Sequence, residues 1–294
     1  MDKKGFGAIP SKKDRRTINH AGMKTLAAPY APQGGYTYQP NEIEDQDKVG
    51  ICTAISLTQN AKKAIGRPFS ADFQYLLQKK YIDGSWDEGS SIFSALKVGK
   101  KYGFLPAELW TYTTQADRNL PYNQYIQKLQ AVPDAEIQNL ITQCSDYKLS
   151  GYAQVNIDPS SIAQAINSSK SGILMMFQVG DEWWTAPDGR VSWASADIDP
   201  LRPPQVIVSG HAITNAAYNY ISQTILKLAN TWSAEWDIQG SATLLFDTYK
   251  PREAWIPYYG LNEQQIQELH NNLQQQIGLL QKVVALLLQL IGKK

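Results

Sequence analysis

Cysteine and histidine are scarce in this chain. Two cysteines, Cys52 and Cys144, allow one disulfide at most, so the fold cannot depend on a framework of bridges. That scarcity leans toward a reducing compartment or a fold that needs no staples. Three histidines, His20, His211 and His270, leave few candidates for a neutral-pH base. Charge of one sign is also missing. The 28 Lys and Arg nearly balance the 27 Asp and Glu, which removes any global pull toward nucleic acid or an anionic membrane. The basic opening MDKKGFGAIPSKKDRR has no apolar stretch behind it, so no secretory signal is expected. No apolar run reaches the ~20 residues of a membrane span. The localisation expected is cytoplasmic or particle-associated, with the compartment undefined.

What is present suits a globular body. Apolar residues make up 43% of the 294 positions, and eight Trp and sixteen Tyr supply large core side chains. Residues 1–40 read as an irregular arm. Apolar periodicity predicts helices over about Cys52–Ile65, stopping at Gly66-Arg67-Pro68, and over 71–82, 91–102, 134–145 and 159–168. Runs rich in β-branched and apolar residues predict strands over 172–179, 211–220, 224–232 and 241–247. Residues 180–205, with Trp183, Trp184 and Trp193, read as a long surface loop. Helices first and strands later predict an α+β protein. Three segments are expected: the arm over 1–40, a main domain over 41–260 and a terminal helix over 261–294.

Cys52 falls where the first helix starts. A helix N-terminus stabilises a thiolate through its dipole and unpaired N–H groups, and Gly50 lets the chain turn tightly into it. Thiol catalysis also needs a base, a group that orients the base and donors for an oxyanion. Each candidate alone has a bland reading: Cys52 as a small core residue, His211 as a core histidine on an apolar strand, Asn230 as a strand end. Cys144 reads as a bystander. Asp87 and Glu88 form an acidic pair with no histidine near them, so no metal site and no cofactor are expected.

Four segments in one order resemble the papain family of cysteine peptidases. IEDQDKVGICTAIS carries Gln46, Gly50 and Cys52; DEGSSIFSALKVGKKYGFLPAELWTY resembles the family's substrate-cleft loop and following helix. SGHAITNAAYNY carries His211, and LKLANTWSAEWDIQGSA carries Asn230, Trp232, Trp236 and Gly240. The opening GFGAIPSKKDRR is similar to the start of bacterial members. The resemblance covers residues 40 to 258 or so. It implies a two-lobed fold, a helical left lobe with Cys52 and a β-barrel-like right lobe with His211 and Asn230. It also implies peptide-bond hydrolysis through a Cys52 thioester, with a peptide or protein as substrate. His211 would be the base, Asn230 its orienter, and Trp232 the shield of that contact. Gln46 and the Cys52 N–H would meet the oxyanion, and Gly89 and Ser90 would hold extended substrate. Thr53 stands where the family has an aromatic, Val49 where it has a cysteine, and Ser90 where it has a second glycine. Ser233 and Asp237 replace glycines. His211 follows Cys52 by 159 residues, beyond the roughly 130–150 of papain and cathepsins, an excess assigned to the 180–205 loop. The long propeptide of secreted members is not expected here.

The last segment has a different character. Ile266, Leu269, Leu273, Leu280, Val283, Leu287 and Leu290 alternate at three and four residues, with Gln276 the polar interruption. That is a heptad seam, and Ile277, Val284 and Ile291 widen it. Self-association or partner docking through 261–294 is expected. This also supports an alternative in which the chain is a structural or delivery component of a larger assembly, docked by this helix with the peptidase fold retained. An interfacial membrane-surface contact also stays open. Removing residues 261–294 should lower the mass measured by light scattering without abolishing peptide hydrolysis. An intact chain that is already monomeric would contradict self-association, and a truncated chain that unfolds would make the tail part of the core.

Overall fold

The computed structural model describes residues 7–11, 43–169, 171–177, 205–214, 224–232, 235, 241–245 and 251–260. The expected loop over 180–205 (up to Pro204), the tail helix over 261–294 and most of the 1–40 arm lie outside the described residues. Chain contacts separate a unit Met1–Tyr259 from a unit Gly260–Lys294.

The first unit is built around helix α1, Cys52–Ile65. Its first ten residues, Cys52 to Ala61, are all buried, so it runs through the interior rather than along a face. Fully burying a residue such as Ile55 or Leu57 contributes about 1.5–3 kcal/mol. Lys62 and Lys63 sit in the last turn, where the helix dipole favours cations. Gly66 ends the helix in the left-handed region, φ 89°, and returns its N–H to the Lys62 carbonyl.

Helix α2, Ala71–Leu77, starts where the Ser70 side chain accepts the Phe73 N–H. The expected helix over 71–82 is continuous but changes type, becoming a π-helical turn over Gln78–Asp83. Helix α3, Ile92–Lys101, is capped in the same way by Ser91. Three further helices follow: α4 (Tyr122–Gln130), α5 (Asp134–Gln143) and α6 (Pro159–Ser168). Sequence periodicity had not shown α4, whose apolar Tyr125, Ile126 and Leu129 are too few against its polar residues.

The strands are β1 (Leu149–Gln154), β2 (Ile173–Phe177), β3 (Gln205–Thr214), β4 (Thr224–Ala229), β5 (Ser241–Leu245) and β6 (Glu253–Tyr259). They form one antiparallel sheet in the order β1-β6-β2-β3-β4-β5. The edge strand β1 and strand β6 were not expected; Gly151, Pro257 and a run of tyrosines blur their alternation. Strand β3 begins six residues earlier than the apolar run suggested, because Gln205 to Gly210 pair with β2 and β4.

Two apolar clusters fill the unit. One joins α2, α3, α4 and α5 through Phe73, Leu76, Val98, Tyr125 and Leu140. The other lies between α1, α3 and the sheet, with Leu57, Leu96, Phe104, Leu174, Met176 and Trp255. Asn60 bolts α1 to the sheet. Its Nδ2 donates to the Ser171 and Gly172 carbonyls at 2.7 and 3.2 Å, and its Oδ1 accepts from the Ser171 and Tyr259 hydroxyls at 2.8 and 2.7 Å. A buried amide with its bonding capacity filled specifies one placement of the helix, since any slip leaves polar groups unpaired.

Candidate active site

Cys52 is the first residue of α1 and is wholly buried. Ile51 stands at the N-cap position and has no side chain to cap with, and no acidic residue occupies the first turn. The positive end of a buried helix is thus directed at the thiol position without a carboxylate to offset it. The turn into the helix is set by Asp47, a non-glycine residue at φ 51°, whose N–H bonds the Asp45 side chain at 2.8 Å. Thr53, where the resembled family has an aromatic, is buried and donates to Gln78 Oε1 at 2.9 Å, tying α1 to the π-helical turn.

Gln46 and Asn230 are brought together by backbone pairing. The Gln46 N–H donates to the Thr231 carbonyl at 2.8 Å, and Asp45 bridges Trp232 in antiparallel register. The Thr231 hydroxyl donates to Gln46 Oε1, and Gln46 Nε2 donates to the Val49 carbonyl at 3.3 Å. Asn230 is wholly buried; its Oδ1 accepts the Thr231 N–H at 2.7 Å. Its Nδ2 has no hydrogen-bond partner among the described residues. An unmet donor of this kind costs about 1–3 kcal/mol, a penalty tolerated chiefly where a site requires the group. Trp232 is buried beside it.

The backbone puts His211 on β3, opposite Lys227 of β4, with an irregularity in the pairing between Ser209 and His211. The extra residue, Gly210, is a bulge of the kind that re-aims side chains. Strand β4 runs from this pairing to Ala229 and Asn230, and α1 packs against β3. Two neighbouring strands therefore carry His211 and lead to Asn230, while the helix carrying Cys52 lies on the first of them.

Gly89 and Ser90 close the cleft loop. Gly89 has φ +88°, so its lack of a side chain is required, whereas Ser90 is not among the left-handed residues and keeps an ordinary backbone. The loop is heavily tied. The Gly89 N–H donates to Tyr75 Oη at 3.0 Å, and the buried Lys79 Nζ donates to the Gly89 carbonyl at 2.8 Å. Ser90 Oγ donates to Asp83 at 2.9 Å, and Asp83 pairs with Lys79 at 3.2 Å. Glu88 Oε1 accepts the Gly50 N–H at 2.9 Å, joining the loop to the segment ahead of Cys52. None of these supports was legible as a motif; Glu88 had been read as half of an acidic pair. Among the described residues no cluster of His, Cys, Asp and Glu could hold a metal ion.

Arg118 holds the Glu44–Asp47 hook. It pairs with Asp72 at 2.9 Å and Glu44 at 2.7 Å and donates to the Asp45 carbonyl at 2.8 Å. Burial works against its charge, but Asp72 and Glu44 outweigh that and raise its pKa. The second thiol is of another kind: burial pushes Cys144 up to about 12, and its Sγ donates to the Leu140 carbonyl at 3.3 Å. It is a closed, protonated group at the end of α5.

Comparison with solved structures places this architecture. Xylellain, a cysteine protease from Xylella fastidiosa, superposes with a TM-score of 0.67 at 19% identity, over 87% of this chain and 96% of that one. ProCathepsin B from Trypanosoma congolense gives 0.56 at 14% over 87% of each chain. The bromelain protease from Ananas comosus, solved with the inhibitor E64, gives 0.51 at 14%, over 78% of this chain and 100% of that one. The chain has the papain-like fold. No protein-family model and no curated protein matches its sequence. In the papain-like fold of this chain, the helices precede the sheet, as the residue pattern and the resemblance led one to expect.

Glu88 gives the site a pH dependence. The residue is exposed as a whole, but desolvation of its carboxyl raises its pKa above the ordinary value, against a smaller lowering by the Gly50 N–H. A raised pKa means that the folded chain holds the proton more tightly than the unfolded chain. Its contribution to stability is therefore present at acid pH and lost as pH rises through the raised value. Glu88→Gln, which cannot ionise, should gain melting temperature relative to the unmodified chain between about pH 4 and about pH 7. Thermal unfolding across that range checks this, and a difference that does not change with pH would contradict it.

Proposed function

We propose that the chain is a cysteine peptidase that hydrolyses peptide bonds through a Cys52 acyl-enzyme. Cys52 Sγ attacks the scissile carbonyl carbon, and the carbonyl electrons move to oxygen. The oxyanion is met by the Cys52 N–H at the start of α1 and by the Gln46 carboxamide. His211 takes the thiol proton, delivers it to the departing amine, and then activates the water that releases the acid. Asn230 orients the imidazole, with Trp232 keeping water from that contact. Gly89 and Ser90 receive an extended segment of peptide or protein substrate through backbone hydrogen bonds. These steps draw on side chains and backbone alone.

The observation that carries this reading is the pairing of the strand leading into Cys52 with the strand end bearing Asn230. Thr231 and Gln46 are 185 residues apart, yet they bond through both backbone and side chain. The Asn230 amide is buried with an unmet donor among the described residues, which suits a group kept for one partner. The papain-like fold adds support at the level of architecture.

A second reading, a structural or delivery component docked by its tail, rests on the heptad seam of residues 261–294. It is compatible with peptidase activity. Acyl transfer to an amine shares the same acyl-enzyme and differs only in what resolves it.

Peptide hydrolysis by point variants tests the proposal. Cys52→Ala should abolish turnover with the fold intact by circular dichroism, and His211→Ala should be nearly as damaging. Asn230→Ala should be milder, because it loosens a ring rather than removing proton transfer. Gln46→Ala should lower kcat roughly 100–1000-fold, the loss typical of one oxyanion donor. Near-normal hydrolysis by Cys52→Ala, or a folded Asn230→Ala more damaged than His211→Ala, would overturn the assignment.

A further inference from the structure

The groups that would receive substrate at Ser90 are engaged by the chain's own N-terminal arm. Ala8 pairs with Ser90 as a parallel bridge: the Ser90 N–H donates to the Gly7 carbonyl at 2.6 Å, and the Ile9 N–H donates to the Ser90 carbonyl at 2.8 Å. Both backbone groups of Ser90 are thereby used. The segment also lies against the approach to Cys52. A Cβ built on Gly7 would stand 1.9 Å from the Gly50 carbonyl oxygen, so the two backbones are in contact, and only glycine fits there. On the other side, a Cβ on Gly89 would stand 2.6 Å from the Gly7 oxygen. Ala8 is wholly buried and belongs to the same apolar cluster as Cys52, Ile92 and Phe93.

Two bonds latch the far end. The Ser11 N–H donates to Glu253 Oε1 at 2.6 Å, and Glu253 is itself fixed by the Trp255 indole N–H at 3.1 Å. Ser11 Oγ accepts the Phe93 N–H at 3.3 Å, meeting one of the open donors in the first turn of α3. The arm thus joins the loop, α3 and β6 in five residues. An irregular tail would have no reason to bury an alanine or to need glycine at one point.

We propose that Gly7–Ser11 is a built-in plug of the substrate cleft, held by Ser90 and latched by Glu253, which must leave before an extended peptide can bind. This rests on the reading of Gly89 and Ser90 as substrate-binding groups. A peptide adding to the same backbone edge competes with a covalently attached strand, and access to the site is reduced to the fraction of time the plug is out. The plug runs parallel to the segment it covers and touches the chain at Gly50.

The test is the rate at which an epoxide thiol probe labels Cys52 in the full chain, with hydrolysis of a short peptide followed in parallel. Gly7→Val puts a side chain into the Gly50 contact. Ile9→Pro deletes one hydrogen bond at a residue that is 44% exposed, so it disturbs no core. Both should label Cys52 at least ~10-fold faster than the unmodified chain, and a synthetic peptide of residues 5–11 should slow Gly7→Val again. Equal labelling rates in the unmodified chain and in Ile9→Pro would overturn the plug, whatever hydrolysis shows. Faster labelling without any peptide hydrolysis would keep the plug and count against the peptidase reading instead.

Discussion

The site depends on one clasp: the pairing of residues 45–46 with residues 231–232. Without it the helix bearing Cys52 and the strand end bearing Asn230 would be tied only through the sheet. The clasp is short, so it needs outside support. Arg118 provides that support from a wholly buried position, neutralised by Asp72 and Glu44 and bonded to the Asp45 carbonyl. Burying charges costs several kcal/mol per ion, which only dense hydrogen bonding recovers. Here Asp72 also accepts from Tyr125 and Thr113 at 2.8 Å each, so its lone pairs are filled. The arrangement fixes geometry more than it adds stability.

A similar logic holds around the cleft loop. Tyr75, Lys79 and Asp83 come from α2 and the π-helical turn behind it, and together they set the Gly89 and Ser90 backbone. The extra residue of a π-turn shifts the helix face, and such turns often accompany functional sites. Thr53, an unusual residue after the nucleophile position, bonds Gln78 of that turn. The departure from the resembled pattern is thus matched by a polar partner across the interface.

Helix α1 was legible to the residue. Its apolar spacing, the Gly66 stop and the basic last turn all point one way, and little tertiary context competes with them. Gln46, Cys52, His211 and Asn230 could be picked out only because four segments occurred in a recognisable order. Their mutual placement is non-local, carried by backbone pairing that leaves no periodic trace. The supporting groups Arg118, Glu88, Thr231 and Tyr75 were not legible for the same reason: each is one polar residue whose partner lies far along the chain. Strands β1 and β6 were missed because the alternation is blurred where Tyr152, Trp255 and Tyr259 pack aromatic faces against the core. The arm's first residues read as irregular, yet they add to the cleft loop, since backbone groups carry that pairing without regard to sequence.

The central claim is that Cys52, and not Cys144, forms the covalent intermediate. Rapid-quench mass spectrometry after mixing the full chain with a slowly hydrolysed peptide ester measures this directly. The account predicts an acyl adduct that maps to the peptide containing Cys52, is removed by hydroxylamine as a thioester is, and is absent from Cys52→Ala. An adduct confined to Cys144, or one that persists in Cys52→Ala, would contradict it.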